Sequence, residues 1–179
     1  MSERTASRRR WLASLGTAVA AGVAGCSSDG ETSESGSPDS TPTADRTPIH
    51  SSYKTTRVRV ETPDGQRLGA VTAAIADTQN LRGTGLSDTE SLPEDRGMLF
   101  VYETVTDRTF VMRRMDFGID IVYADADGTI TEIFHAPEPG PNEDGNDQQY
   151  TGRGQYVLEV NRGWTTERGV TAGDRLVFD

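Results

Sequence analysis

Short runs of β-branched and aromatic residues, divided by Gly, Asp and Pro, fill residues 53–179 of this 179-residue chain. Residues 55–61 alternate, a Pro-Asp-Gly turn follows at 63–65, and 68–77 is the returning strand of a hairpin. This texture predicts one mainly β domain, a compact barrel or sandwich-like fold with one or two short helices.

Six further segments also consist of short runs of β-branched and aromatic residues and are strand candidates. They are residues 97–102, 109–115, 119–124, 129–135, 155–160 and 175–178, which makes about eight strands in all. Residues 77–83 and 164–168 are the two short helix candidates, the second ended by Gly169, which can adopt the left-handed conformation. The polar stretch 137–154 has no periodicity and is predicted to be a loop.

The first 26 residues have the features of an export signal. Arg8, Arg9 and Arg10 precede an uncharged apolar run of 15 residues, from Trp11 to Gly25, and Cys26 follows it. The run is shorter than the roughly 20 residues of a membrane span, and the paired arginines are typical of a twin-arginine signal. Val-Ala-Gly-Cys resembles a lipobox, so residues 1–26 predict a lipoprotein signal with lipidation at Cys26.

Residues 27–52 are rich in Ser, Thr, Pro and acids, and they offer almost nothing that a core could bury. Such a composition predicts a disordered tether. The predicted organisation is therefore a signal at 1–26, a tether at 27–52 and a mainly β domain at 53–179. The membrane, through lipidated Cys26, is the first predicted partner. The predicted location is the outer face of the cytoplasmic membrane.

The charge excludes several classes of protein. The net charge is −10, and Lys54 is the single lysine among 18 cationic residues. Nucleic-acid binding needs a basic surface, so it is not expected. One cysteine excludes a disulfide framework and a cysteine-rich zinc site. An acidic, arginine-retaining chain with one lysine resembles haloarchaeal proteins, although an ordinary acidic exported protein is the alternative.

Several motifs resemble family 192 of the domains of unknown function. They are Leu81-Arg82-Gly83, Ser-Leu-Pro-Glu-Asp at 91–95, Gly-Met-Leu-Phe at 97–100, Phe-Val-Met-Arg at 110–113, Ile-Asp-Ile at 119–121 and Val-Leu-Glu at 157–159. The resemblance covers most of residues 55–179 and implies a small, mainly β fold without an established activity. The chain departs from the family where Thr84-Gly85 replaces Leu-Met, and where Val-Met-Arg-Arg at 111–114 replaces Trp-Met-Lys-Asn.

Catalytic candidates are few. Of the two histidines, His50 lies in the tether and His135 ends a strand candidate. A Ser91, His135 and Asp120 triad is possible in composition only. The run Asp-Ala-Asp-Gly at 125–128 reaches Gly too early for an EF-hand loop and is predicted to be a hairpin turn. We therefore predict no catalytic residue, metal or cofactor.

One constellation has possible binding chemistry, because its charged members stand in or beside apolar runs. It consists of Arg82, Met112, Arg113, Asp120 and Glu159. A buried charge needs a partner or a ligand. An internal pair, Arg82 with Glu159 or Arg113 with Asp120, is one interpretation, and a pocket for a small anionic or polyhydroxy ligand is the other.

These features favour an exported, lipid-anchored module with a small-ligand binding or accessory role at the cell surface. Two alternatives remain. One is a hydrolase that uses Asp120 and Glu159 as acid and base, which requires both carboxyl groups to face one cleft about 5–10 Å apart. The other is a structural cell-surface interaction protein, which predicts no concave polar site. The oligomeric state is left open.

Overall fold

The computed structural model describes residues 53–178, and these residues form one curled sheet with two short helices. The strands are β1 (Thr55–Glu61), β2 (Arg67–Ala76), β3 (Arg96–Val111), β4 (Ile119–Ala124), β5 (Ile130–Ala136), β6 (Gln149–Asn161) and β7 (Arg175–Phe178). The helices are α1 (Gln79–Thr84) and α2 (Trp164–Glu167). The predicted mainly β class is confirmed. The signal, Cys26 and the tether lie outside the described residues.

The strand order is β5-β4-β6-β3-β2-β1-β7. Only β2 and β3 pair in parallel, and α1 makes the crossover between them. The two edge strands approach each other at one end, where Thr129 bridges Arg175 and the Leu176 N–H donates to the Gly128 carbonyl at 2.8 Å. Gly128 has a φ of +80°, and a Cβ there would lie 2.4 Å from the Leu176 oxygen, so this close approach requires glycine.

Side chains alternate between two hydrophobic clusters, one on each face of the sheet. The inner cluster takes residues from all seven strands and from α2, including Val58, Leu158 and Trp164. The outer cluster includes Met98, Ile121 and residues of the segments that cover the other face. The face on which a strand residue lies therefore decides which environment its side chain meets.

Two sequence predictions were wrong at the longest strands. Residues 97–102 and 109–115 were predicted as separate strands, but β3 runs through both and ends at Val111. Residues 149–154 belong to β6 instead of the predicted loop, and they pair with residues 106–111 of β3. The pairing is interrupted by a bulge between Val101 and Thr106. Residues 112–115 form the turn after β3.

The turn at residues 125–128 joins β4 and β5 as a hairpin. The Asp125 carboxylate accepts the N–H groups of Asp127 and Thr129 at 3.0 and 2.9 Å, so it is used inside the turn. Within residues 53–178 no group of three His, Cys, Asp or Glu side chains is placed to hold a metal ion. No helix in that range is long and apolar enough to cross a membrane.

Candidate functional site

A cavity of about 170 Å³ lies between α1, β3 and the segment that follows β3. Arg82, Arg113 and Glu159 line it together with Phe100 and Phe110. An apolar protein cavity of about 150 Å³ admits benzene, so this one has room for a ligand of roughly that size. Its walls combine aromatic rings with three ionisable side chains.

The end of α1 forms one wall of the cavity. Thr78 caps the helix by accepting the Leu81 N–H at 3.3 Å, and Gly85 ends it with a φ of +55°. A Cβ on Gly85 would lie 3.3 Å from the Phe100 ring, so the turn packs closely against β3. The short helix thereby holds Arg82 in its last turn beside the cavity.

Glu159 is the most buried polar residue that lines the cavity. It pairs in register with Met98 and Ile121, which belong to the outer cluster, and it is only 5% exposed. No hydrogen bond or ion pair to its carboxyl group is found within the described chain, and the carboxyl oxygens face the cavity, since no fully enclosed side-chain oxygen or nitrogen of the described residues lacks a hydrogen-bond partner. Burial raises the pKa of this carboxyl group to about 8, because the low-dielectric interior disfavours its charged form.

Arg82 is half-buried and is fixed by the residue that follows β2 and by a residue in the interior of β3. Its Nη1 donates to the carbonyl oxygens of Asp77 and Val101 at 2.6 and 2.8 Å. Its guanidinium lies 4.8 Å from the centre of the Tyr102 ring, and Arg108 lies over the same ring at 3.4 Å. Tyr102 therefore stands between two cations in cation–π geometry.

Arg113 reaches the cavity from the turn after β3. Its Nη2 donates to the Gly83 carbonyl at 2.5 Å, and its own carbonyl accepts the Ser87 hydroxyl at 2.9 Å. The two loops are joined again by an ion pair of 2.9 Å between Asp88 and Arg114. Both of these residues have positive φ, 63° and 52°, a strained conformation for side chains other than glycine. The loops that frame the cavity are thus tied together on both sides of Arg113.

Met112 does not line this cavity. Its side chain is fully buried in the outer cluster, and its N–H donates to the Gly145 carbonyl at 2.9 Å. A second surface depression, of about 320 Å³, lies beside Met112 and residues 138–145. Met112 anchors the loop that positions Arg113, which is a packing role.

Asp120 lies on the opposite face of the sheet from Glu159. It pairs with Val160 of the inner cluster, and its carboxylate accepts from the N–H groups of Gly163 and Thr165 and from the Thr165 hydroxyl. The fourth bond, of 2.7 Å, joins Asp120 to Nδ1 of His135. Since Gly163 supplies no side-chain cap, Asp120 does so for α2 from a neighbouring strand.

This placement contradicts the hydrolase alternative. Asp120 and Glu159 face opposite sides of one sheet, so they cannot act as acid and base in one cleft. The structure does bring Asp120 and His135 together, but no described contact joins Ser91 to either of them, and the triad is not formed. It also forms neither of the predicted internal pairs, Arg82 with Glu159 or Arg113 with Asp120.

The sequence reasoning missed Tyr102, Ser87 and Thr109, which line the cavity, and Arg108, which lies over the Tyr102 ring. Arg108 follows the bulge of β3, and its Nε and Nη2 donate to Gly154 and Thr104 carbonyls at 3.2 and 2.8 Å. The signal for it was the polar interruption at residues 103–108 between two apolar runs. Ser87 had no local signal, because its role depends on a loop 26 residues away.

Comparison with known proteins agrees with this fold. The sequence pattern of the family DUF192, described as uncharacterized, matches residues 59–178. A solved Sinorhizobium meliloti protein, whose description proposes a transcription regulator, is 28% identical with a TM-score of 0.65, over 72% of this chain and 97% of that one. A Novosphingobium aromaticivorans protein of unknown function is 25% identical with a TM-score of 0.61, over 71% and 87%. No curated protein matches the chain.

Proposed function

Because this chain belongs to the DUF192 family, which is uncharacterised, we propose a function from its own cavity: the domain binds a small polar ligand between α1 and β3. The single observation that carries this proposal is the carboxyl group of Glu159, a residue only 5% exposed, which opens onto the cavity and has no partner in the described chain. A ligand that bonds to Glu159 would give this carboxyl group a partner, and one intramolecular hydrogen bond typically contributes about 0.5–1.5 kcal/mol.

The proposed setting is the cell surface. Arg8 and Arg9, the apolar run of 15 residues and Cys26 stand in the order of a twin-arginine lipoprotein signal. Two lipid chains anchor a protein stably, whereas one chain does so only marginally. In this proposal the tether at 27–52 holds the domain clear of the outer face of the cytoplasmic membrane. The acidic, lysine-poor composition supports a high-salt habitat.

The setting is tested by metabolic labelling with a lipid precursor in cells that express the full chain. The native protein should carry the label and fractionate with the membrane, whereas Cys26→Ser should lose both properties. Unlabelled protein that keeps its signal and is recovered from the cytosol would refute the proposed cell-surface location. The proposal that the cavity binds a ligand would not be affected.

Neither competing function is favoured by an observation. A purely structural interaction protein needs no concave polar site, and this chain has one. The transcription-regulator role proposed for the Sinorhizobium meliloti protein is not extended to this chain, because a net charge of −10 opposes contact with phosphates.

The binding proposal is tested by a thermal-shift screen in high salt with sugars, nucleotides and small organic acids. A ligand at 100 times its Kd stabilises a protein by about 2.7 kcal/mol, which raises the Tm of a domain of this size by several degrees. At least one class of compound should produce this shift.

A matched pair of variants locates the binding. Thr109 and Thr151 are exposed, lie opposite each other on β3 and β6 and share a hydrogen bond of 2.8 Å, but only Thr109 lines the cavity. Thr109→Trp should obstruct the cavity and abolish the ligand-induced shift, while Thr151→Trp should keep it. A shift that survives in both variants, or none from any class, would refute the proposal.

A further inference from the structure

Glu159 and two arginines share the cavity at different depths. Glu159 is buried, Arg82 is half-buried and Arg113 is exposed, so the guanidinium groups stand nearer to solvent than the carboxyl group. A ligand that enters the cavity meets cations first and the carboxyl group last. The cavity therefore has cations near its opening and a carboxyl group at its deepest point.

Both guanidinium groups keep donors that the protein does not use. Arg82 uses Nη1 for two carbonyls, and Arg113 uses Nη2 for one. A guanidinium has five N–H donors, so each retains several. No described carboxylate pairs with Arg82 or Arg113, and since several other described arginines also lack such a partner, the two are distinguished by lining the same cavity. In so acidic a protein, two unpaired arginines on one cavity form a site for an anion.

Burial decides the charge of Glu159, and the titratable and charged groups nearest to it in the cavity do not reverse that effect. Tyr102 on β3 and Tyr123 on β4 have raised pKa values through burial, so both phenols remain neutral in the physiological range. The cations are Arg82 on α1 and Arg113 after β3. With a pKa of about 8, Glu159 is mostly protonated at pH 7. A protonated carboxyl group donates a hydrogen bond and does not repel an anion.

We propose that the ligand is a small organic carboxylate whose charged group binds Arg82 and Arg113 and whose hydroxyl or carbonyl oxygen accepts a hydrogen bond from Glu159. This inference rests on the proposed function and names its ligand class. The aromatic walls, Phe100 and Phe110, suit a short carbon skeleton, and the volume of about 170 Å³ limits its size. An amine would meet two arginines before it reached Glu159.

Calorimetric titration of the full chain tests this assignment. The probes are lactate and pyruvate, the neutral amide lactamide, the cation ethanolamine and inorganic phosphate, at constant high salt. At least one carboxylate should bind at pH 7, whereas lactamide and ethanolamine should not. Affinity should fall about tenfold between pH 7 and pH 9, since about one tenth of Glu159 remains protonated one pH unit above its pKa. Phosphate binding as tight as that of the carboxylates, with no dependence on pH, would overturn the role of Glu159.

Variants separate the assigned roles from effects on folding. Arg113→Gln should weaken carboxylate binding about tenfold or more, whereas Arg57→Gln, which changes an exposed arginine on β1 outside the cavity, should not. Glu159→Gln preserves a donor of the same shape, so it should retain binding at pH 7 and lose the decline towards pH 9. Equal losses in both arginine variants, or an unchanged pH profile in Glu159→Gln, would overturn the assignment.

The outcomes distinguish this inference from the proposed function. If lactamide or ethanolamine binds, and Thr109→Trp abolishes that binding, the cavity binds a ligand but the carboxylate class is wrong. If no probe binds and the wider screen of compounds also fails, both proposals are refuted.

Discussion

Replacing Glu159 by glutamine should make the protein more stable at neutral and alkaline pH. The unfolded carboxyl group has a pKa of 4.5, and the folded one has a pKa of about 8. Below pH 4.5 the group is protonated in both states, so it adds no dependence on pH. Between the two values only the unfolded state releases the proton, and the free energy of unfolding falls as the pH rises. Above pH 8 both states are ionised and the loss is constant.

The size of the effect follows from the two pKa values. Each tenfold change in proton affinity corresponds to about 1.4 kcal/mol, so a rise from 4.5 to about 8 destabilises the fold by up to about 5 kcal/mol. That is a large share of the 5–15 kcal/mol that holds a typical domain together. Glu159→Gln removes this loss, so the stability of the variant should exceed that of the native protein by several kcal/mol at pH 8.5 and match it near pH 4.5.

Urea denaturation at constant salt, followed by circular dichroism at pH 4.5, 6.5 and 8.5, measures the difference. Glu132→Gln is the matched control, because Glu132 is an exposed glutamate on β5 and should show no such dependence. If Glu159→Gln and the native protein lose stability in parallel from pH 4.5 to pH 8.5, burial does not raise the pKa of this carboxyl group, and the account of the cavity is wrong.

The other expected outcomes concern the frame around the site. Asp120→Asn should lower the free energy of unfolding by about 2–3 kcal/mol in urea melts, because an NH₂ group would face donors that now bond to a carboxylate. Ligand binding on the other face of the sheet should persist in this variant. Loss of binding at an unchanged Tm would contradict the placement of Asp120. Gly97→Ala should destabilise the fold by about 1–3 kcal/mol, since its Cβ would lie 2.8 Å from the Glu159 carbonyl oxygen. Gly83→Ala in α1 places its Cβ in open space and should stabilise the fold by about 0.5–1 kcal/mol. Equal effects of the two variants in thermal melts would contradict the packing around Gly97. Raising salt from about 0.1 M to about 1 M should raise the Tm, because a net charge of −10 repels itself when unscreened; a Tm that falls with salt would contradict this.

The sequence predicted strands well where one face is buried and turns are explicit. β1 was found from its alternation, and β4, whose residues are all buried, was found from its apolar run beside the Asp-Gly turn at 125–128. It failed for the arm formed by residues 106–111 and 149–154, whose two strands pair with each other and are mostly exposed. Exposed strands carry no hydrophobic alternation, and their pairing connects residues about 40 apart.

Part of the candidate site could be predicted from the sequence, because an acid within an apolar run is also a local signal. Glu159 and Asp120 gave identical signals, an acid between apolar residues, and both are buried. What separates them is the register of β4 with β6, which opposes Glu159 to Ile121 and Asp120 to Val160. Register is a property of the assembled sheet, so no local pattern could assign one acid to the cavity and the other to the cap of α2.

Heteronuclear NMR of the labelled protein, titrated with lactate and pyruvate at pH 7, tests the central claim most directly. The account expects saturable shifts for the backbone amides of residues 82–87 and 110–113, with the carboxyl carbon of Glu159 responding at the same concentrations. Amides of residues 163–167, on the opposite face, should not move. Shifts confined to the opposite face, or none at any residue that lines the cavity, would contradict it.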